Sequence, residues 1–209
     1  TTPAEADGNA VIGGNLTVET ITVEADAEGA VTTGTIRAYD DLTLGDADFT
    51  SITTGSITGL SKNGATYKDV TVSAGATAGD VYINGSVVGD NIAIDNANGD
   101  VTITGSTSGT TSVNIGGTAV KGDITTGSIT VSAGTVTVKA TSGDVSTGTI
   151  SASGAVTVNS TQGDVSVESV YTSTGAITIT STASGDVTVG SAVSDDDAIT
   201  ISAAAVGNV

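Results

Sequence analysis

Six aspartates recur along the chain, each directly after a glycine, and this regular spacing makes them the first candidates for chemistry. They are separated by 20 to 23 residues and comprise Asp80, Asp100, Asp123, Asp144, Asp164 and Asp186. Gly207-Asn208 closes the series with an amide in place of the carboxylate. If each repeat forms one coil of a solenoid, these side chains stack in a column with about 5 Å between neighbours.

Stacked carboxylates repel one another, and two arrangements relieve the repulsion. In the first, each side chain accepts hydrogen bonds from backbone N–H groups of its own turn. In the second, Ca²⁺ lies between successive carboxylates. Asn208 favours the first, because an amide satisfies a turn but is a weaker ligand for a hard cation. The run Asp195-Asp196-Asp197 is a further candidate for calcium ligands, although such a charge run is more typical of a solvated face.

The rest of the composition excludes most other chemistry. The chain has no His and no Cys, so it lacks an imidazole base, a thiolate and the usual zinc ligands. Glycan hydrolysis or elimination needs carboxylates beside a base or an arginine, and Arg37 is the only arginine in the sequence. We therefore expect no enzymatic activity and no cofactor, with calcium as the one alternative.

The charge balance excludes two classes of partner. The sequence has 23 acidic and 5 basic residues, a formal net charge of −18, so we expect no binding to nucleic acid or to anionic membranes. No apolar run approaches the length of about 18 residues that a membrane-spanning helix needs. We expect no insertion into a membrane.

Short repeated phrases must position the aspartates. A Gly-Ser/Thr-Ile/Val phrase and an apolar-x-apolar phrase recur with the same period as Gly-Asp, the last of them nine times from Leu16/Val18 to Ile199/Ile201. Apolar and polar residues alternate, and the apolar ones are mainly Val and Ile, which is typical of strands. Three such strands with Gly, Ser or Asp turns make one coil of a three-sided β-solenoid, whose apolar columns are buried when coils stack. We predict an all-β, three-sided β-solenoid of about nine coils of 20–23 residues.

The first part of the chain keeps the period less strictly. The apolar-x-apolar phrase arrives late between Leu16 and Leu42, and again between Leu42 and Val70, compared with its spacing in the later repeats. We predict an N-terminal extension at 1–7 and one solenoid domain at 8–209, with irregular, looped coils at 8–78 and regular coils at 79–209. Three aromatic residues of the irregular part, Tyr39, Phe49 and Tyr67, are candidate lateral contacts. The favoured interpretation is that these three rings, together with Tyr82, cover the core locally.

The phrases SGDVSTGTI and SGAVTVNSTQGDV, at 142–150 and 153–165, resemble the repeat regions of secreted bacterial and archaeal surface proteins. These are the haemagglutinin-repeat and β-strand-repeat adhesins. The resemblance lies in the Gly/Ser/Thr/Val vocabulary, covers nearly the whole chain and shares no diagnostic motif, so it carries over no functional residue. It implies a surface or matrix role. The sequence also begins at Thr1 without any Met, which predicts a removed secretory signal and an extracellular or cell-surface location.

Two functions fit a plain acidic β-rod. The first is a structural subunit that polymerises head to tail into an extracellular filament, for example of a biofilm matrix. Both ends of the sequence follow the repeat pattern, since Gly8-Asn9-Ala10-Val11 is similar to Gly207-Asn208-Val209. Stacking of the last coil of one copy on the first coil of the next gives an open filament. The predicted interface comprises Gly8, Val11, Leu16, Val18, Ile199, Ile201, Val206 and Val209. The second function is a monomeric stalk or adhesin module.

Ice binding is a minor alternative. Thr-x-Thr rungs occur at Thr102/Thr104 and Thr178/Thr180, but Asp95, Lys139 and Asn159 stand at the matching position of other coils. These residues interrupt the regular hydroxyl lattice that ice recognition requires.

Overall fold

The fold was analysed in a computed structural model that describes residues 10–23, 29–45, 50–74, 79–204 and 208–209. These residues form 23 strands and no helix, and so contain no helix able to cross a membrane. Most strands are short, and buried positions alternate with partly exposed ones, as for β-branched residues on a pleated, half-buried surface. They pair in parallel along the whole rod.

The strands stack on three faces. Face 1 contains β1 (Ala10–Ile12), β4 (Ala30–Thr33), β7 (Ser51–Thr54), β10 (Val81–Ile83), β12 (Val101–Ile103), β14 (Ile124–Thr126), the first halves of β17 (Val145–Ala152) and β19 (Val165–Thr172), and β21 (Val187–Val189). Face 2 contains β2 (Leu16–Val18), β5 (Ile36–Ala38), β8 (Ile57–Gly59), the first parts of β11 (Val87–Asn96) and β13 (Thr107–Val120), β15 (Ile129–Val131), the second halves of β17 and β19, and β22 (Ala192–Ser194). Face 3 contains β3 (Ile21–Val23), β6 (Leu42–Leu44), β9 (Val70–Ala74), the later parts of β11 and β13, β16 (Thr135–Ala140), β18 (Val156–Ser160), β20 (Ile177–Ser181) and β23 (Ile199–Ser202).

The architecture confirms the predicted three-sided β-solenoid. In the described part of the chain, each face contains nine strand segments, because β11, β13, β17 and β19 each contribute to two faces. The segments make about eight full turns, close to the nine coils expected from the sequence. On face 3, Val136 pairs with Val156, which pairs in turn with Ile177, so equivalent apolar residues of successive coils lie directly above one another. All three side chains are fully or almost fully buried. Burial of these columns against neighbouring coils is what stabilises a repeat that has no core of its own.

The first coils are more regular than the sequence indicated. Leu16 pairs with Ile36 on face 2, one ordinary repeat further along the chain, and does not share a face with Leu42. The first-coil residue that pairs with Leu42 is Ile21, and this step is also one ordinary repeat. The predicted delay between Leu16 and Leu42 is therefore wrong: the three faces use the same apolar-x-apolar phrase, and the phrase alone does not identify the face.

One long step remains, in the third coil. Ile52 pairs with Val81 on face 1, and more of the chain lies between these two partners than between any other pair of successive face 1 strands. Part of the added length is a hairpin at residues 60–67, whose ends meet in an isolated antiparallel bridge between Leu60 and Tyr67. We call these residues the hairpin.

A buried threonine interrupts one apolar column. Thr107 is fully buried on face 2 between Val87 and Ile129, and its hydroxyl has no hydrogen-bond partner. Thr54 on face 1 is equally buried, but its hydroxyl donates to the Gly34 carbonyl at 3.2 Å and accepts from Thr33 at 3.0 Å. The two threonines therefore differ in hydrogen bonding and not in burial.

We expect Thr107→Val to stabilise the protein. Valine has nearly the same shape and removes an unsatisfied buried hydroxyl, so the free energy of unfolding rises by about 1 to 2 kcal/mol. The melting temperature, followed by circular dichroism, increases by about 2 to 4 °C per kcal/mol at this chain length. Thr54→Val is the matched control and lowers the melting temperature, because it removes two hydrogen bonds. A lower melting temperature for Thr107→Val would contradict the assignment of an unpaired hydroxyl.

Candidate assembly site

The six aspartates form the column that their spacing predicts, at the corner where the chain passes from face 3 to face 1. Each Oδ1 accepts the backbone N–H of the equivalent aspartate in the next coil, at 2.8 to 3.0 Å, from Asp80 through Asp164. Asp186 accepts both the N–H of Asn208 at 2.7 Å and its side-chain Nδ2 at 3.1 Å. The predicted donor was the aspartate's own turn, and this is wrong. The side chain instead joins two coils.

Each step of the column contains a second hydrogen bond in the opposite direction. Val81 N–H donates to the Asp100 carbonyl at 2.9 Å, and Ile124 N–H donates to the Asp144 carbonyl at 2.8 Å. At a corner the chain turns away from the strand ladder, so the aspartate N–H needs an acceptor other than a ladder carbonyl. The carboxylate of the preceding coil supplies it, and the hydrogen bond to a charged acceptor is stronger than a neutral one.

Buried polar side chains hold the same corner from the inside. Ser160 donates to the Gly143 carbonyl at 2.7 Å and accepts the N–H of Gly163 at 2.9 Å. Asn96, which lies three coils before Ser160, donates to the Gly79 carbonyl at 2.7 Å in the same way. Neither Ser160 nor Asn96 was predicted from the sequence. The available signal was the polar side chain that replaces the buried alanine of other coils, such as Ala140 opposite Ser160.

The other two corners use the same device. Between faces 1 and 2, Ser56 Oγ accepts the N–H of Ser86, and Ser86 Oγ accepts the N–H of Ser106, at 3.1 and 3.2 Å. Between faces 2 and 3, Asp41 Oδ1 accepts the N–H of Asp69 at 3.1 Å, and Asp69 accepts the N–H of Asn91 at 3.1 Å. In each case the acceptor lies in the earlier coil and the donor in the later one. We refer to these bonds together as the corner ladders.

The corner ladders give the rod a direction. Side-chain acceptors on all three corners point toward the C-terminal coils, and the backbone donors that they bind belong to the later coil. Parallel strand pairing already gives every coil the same orientation. The upper surface of a coil therefore differs chemically from its lower surface, and two upper surfaces are not complementary to each other.

The last coil presents an open surface. The described strands β21, β22 and β23 pair on one side, with β19 and β20. Ile199 is 42% exposed, although Ile177 below it in the same column is fully buried. Val209 follows Asn208 as Val187 follows Asp186, and it is 78% exposed. Ile199 and Ile201 therefore leave apolar area on the end of the rod.

The first coil begins the same apolar columns, and its column side chains are less exposed than Ile199. Leu16 and Val18 are half-buried and head the face 2 columns, while Ile21 heads a face 3 column and is buried at 8% exposure. Val11 is 68% exposed and lies on the outer row of face 1 beside Thr32, so it does not share the inward position of Leu16 and Val18. Gly8 and Val206 lie outside the described residues, as do the predicted extension at 1–7 and Phe49.

Tyr67 and Tyr82 do not cover the core. Tyr67 is 45% exposed at the end of the hairpin, and Tyr82 is 39% exposed on the outer row of face 1. Tyr39 is half-buried beside Arg37 and Lys62. The favoured interpretation of these rings as local core cover is therefore wrong for Tyr67 and Tyr82, because the β-branched columns fill the interior without them.

The second acidic cluster, Asp195–Asp197, is also engaged with the protein. Tyr171 donates its hydroxyl to Asp195 Oδ2 at 2.6 Å, and this hydrogen bond raises the pKa of the Tyr171 phenol. Asp197 N–H donates to Ser194 Oγ at 3.1 Å. Among the described residues, no group of three or more acidic side chains is arranged to hold a metal ion.

We expect removal of calcium to leave the stability unchanged. One oxygen of each column aspartate already accepts a backbone N–H, so the column does not need a cation to hold its coils together. Thermal melting after dialysis against EDTA, and again after addition of excess CaCl₂, is the test. A melting temperature that rises with Ca²⁺ and falls with EDTA would support the alternative in which calcium ions lie between successive aspartates of the column from Asp80 to Asp186.

No protein-family model matches the chain, and neither a curated protein nor a solved structure matches it.

Proposed function

We propose that the chain is the structural subunit of an extracellular or cell-surface filament, built by stacking the last coil of one copy on the first coil of the next. The observation that carries this proposal is the direction of the corner ladders. A polar rod whose two ends are chemically different favours head-to-tail contacts, and heterologous contacts that do not close into a ring produce open filaments.

The end surfaces also fit one another by face. When the first coil of one copy stacks on the last coil of another with the same strand pairing as inside the rod, β3 lies above β23 and β2 lies above β22. Ile199 then lies against Ile21, and Leu16 lies against Ala192, so that the apolar columns continue across the joint. Burial of apolar area that is exposed in one copy provides the driving force.

The composition suits a long-lived filament outside the cell. The sequence contains no Cys, Met or Trp, the residues most readily oxidised, and only five Lys or Arg residues at which trypsin-like proteases cleave. A net charge of −18 keeps copies apart laterally at low ionic strength, so that end-to-end contacts are favoured over side-to-side aggregation. These properties support a surface or biofilm-matrix role.

The second candidate is a stalk or adhesin module. It is favoured by the hairpin, which interrupts an otherwise plain rod and carries the exposed Tyr67. In this case further coils or domains, and not a second copy, cover the end surfaces. The hairpin would then be the part of the rod that contacts a ligand.

Electron microscopy and sedimentation velocity of the purified wild-type chain distinguish the two candidates. The filament proposal predicts long unbranched fibres at high protein concentration and neutral pH, with an axial repeat of one rod. Fibres that persist at moderate salt support a joint built on apolar columns and hydrogen bonds rather than on surface charge. A chain that stays monomeric under these conditions would overturn the filament proposal and support the module.

A further inference from the structure

The hairpin folds back over the first two coils and forms one wall of an open cleft of about 430 Å³. The other walls come from the turn after β2 in the first coil and from the segment after β5 in the second. The side chains that face the cleft and matter for its chemistry are Glu19, Tyr39, Asp40, Ser61, Lys62 and Lys68. Three successive coils thus contribute to one concave site, which the regular part of the rod does not offer.

The hairpin is held in position by its own hydrogen bonds. Ser61 N–H donates to the Thr66 carbonyl at 2.8 Å, opposite the Leu60–Tyr67 bridge. At the tip, Asn63 Oδ1 accepts from the Ser61 hydroxyl at 2.7 Å and from the Ala65 N–H at 3.0 Å. The cleft wall is therefore formed before any ligand arrives, which lowers the entropic cost of binding.

Two ion pairs fasten the hairpin and its base to the earlier coils. Lys62 pairs with Glu19 of the first coil. Lys68 Nζ lies 3.0 Å from Asp40 Oδ1, and this hydrogen bond, with one from the Asp41 N–H, lowers the pKa of Asp40. Glu19, Lys62 and Asp40 expose 75%, 63% and 59% of their side chains and Lys68 exposes 29%, so polar atoms of both pairs remain open to hydrogen bonds with a ligand.

The cleft concentrates the rare basic and aromatic side chains of this sequence. Three of its five basic residues, Arg37, Lys62 and Lys68, lie at the cleft or beside its tyrosine. The Arg37 guanidinium and the Lys62 ammonium lie 5.5 and 5.9 Å from the centre of the Tyr39 ring. The ring is half-buried and belongs to the side chains that line the cleft.

The alternation of charges determines which ligand fits. Glu19 and Asp40 repel a strongly anionic ligand, and Lys62 and Lys68 repel a cationic one. A neutral ligand with many hydroxyl groups avoids both repulsions, and each hydroxyl can donate to a carboxylate and accept from an ammonium. A sugar ring also has an apolar C–H face that packs on an aromatic ring, and the volume lies within the range of about 300 to 1,000 Å³ usual for small-ligand sites.

We propose that this cleft binds a neutral sugar unit, of mono- to disaccharide size, through contact with Tyr39 and hydrogen bonds to the Lys62–Glu19 and Lys68–Asp40 pairs. The site lies entirely within the first three coils. It therefore stands whether or not copies polymerise, and on a filament it would recur once per subunit.

Saturation-transfer difference NMR tests the proposal. The probes are maltose, cellobiose, lactose and N,N′-diacetylchitobiose at millimolar concentration, with glucuronic acid as an anionic comparison. We expect saturation transfer to at least one neutral disaccharide and a dissociation constant that rises at least about tenfold in Tyr39→Ala, a loss typical of removing one aromatic contact. Tyr82→Ala removes an exposed tyrosine from face 1, away from the cleft, and leaves the affinity unchanged.

Lys62→Ala provides an independent arm, because the side chain is 63% exposed and its removal does not open the core. We expect it to weaken the same sugar, and circular dichroism checks that both variants keep the wild-type fold. Absence of transfer to every neutral probe would overturn the proposal. Equal binding by wild type, Tyr39→Ala and Lys62→Ala would also overturn it, as would tighter binding of glucuronic acid than of any neutral sugar.

Discussion

Replacing Ile199 and Ile201 together by aspartate is expected to abolish long filaments and to leave monomers and short oligomers. Both side chains belong to inward columns of the last coil, and Ile199 is 42% exposed there although its partner Ile177 is fully buried. Stacking a second copy on this coil would bury the two carboxylates against apolar side chains without a partner. Burying an unpaired charge costs about 3 kcal/mol or more. Since about 1.4 kcal/mol changes an equilibrium constant tenfold, the association constant falls more than about a hundredfold.

Thr200→Asp is the matched control for this variant. Thr200 lies between the two isoleucines on the same strand, but it is exposed on the outer row of face 3 beside Thr178. The Thr200→Asp substitution adds negative charge to the same strand but outside the apolar columns, so we expect filaments of nearly wild-type length. Negative-stain microscopy and sedimentation velocity at equal concentrations make the comparison. Long filaments in the double variant would contradict joints made by coil stacking.

Gly163→Ala is expected to destabilise the rod severely. A Cβ built at Gly163 lies 2.3 Å from the carbonyl oxygen of Gly143 in the coil below, and one built at Gly143 lies 2.2 Å from the oxygen of Gly122. These neighbours are backbone atoms, so the methyl group fits only if two coils separate. Such a separation also stretches the bond from the Asp164 N–H to Asp144 Oδ1, now 2.8 Å. We expect a loss of about 3 kcal/mol, at the upper end for overpacking, and a melting temperature lower by about 6 to 12 °C.

Gly13→Ala serves as the control for the corner glycine, because a Cβ at Gly13 meets nothing within 4 Å. Its melting temperature should stay within about 2 °C of the parent, as for most surface substitutions. Both variants are best measured in the Ile199/Ile201 double-aspartate background, where polymerisation does not raise the apparent stability. Equal melting temperatures for Gly163→Ala and its parent would contradict this prediction and show that the two coils can move apart at this corner without loss of stability.

Period and alternation were sufficient to predict the architecture. The stacking of Val136, Val156 and Ile177 follows from a nearly constant repeat length in which apolar residues alternate with polar ones. Leu16 and Val18 were wrongly placed in one series with Leu42, because all three faces carry the same phrase. Only the pairing of Leu16 with Ile36 identifies the face, and hydrogen-bond register is not visible in a pattern of residue types.

The aspartate column was predicted, but its hydrogen-bond donor was not. A short side chain at a turn ordinarily bonds within the turn. Here the next coil lies only about 4.8 Å away, within reach of a carboxylate, and the Asp100 N–H would otherwise lack a partner. The cleft could not be predicted for a different reason. The hairpin forms its wall through the contact of Lys62 with Glu19, which joins distant parts of the chain and which no repeat indicates.

The hydrogen bonds between coils all run along the long axis of the rod, and this determines how it carries a mechanical load. Tension applied at the two ends acts on the coil interfaces in series, so the weakest interface sets the breaking force, while the bonds within one interface share the load. Strands of the first coil contain three residues, whereas β16, β18 and β20 on face 3 contain five or six. The longest paired strands of face 3 therefore lie in the middle of the rod, since β21, β22 and β23 of the last coil again contain only three or four residues. Under stretching the rod yields near one of its ends before the middle coils part.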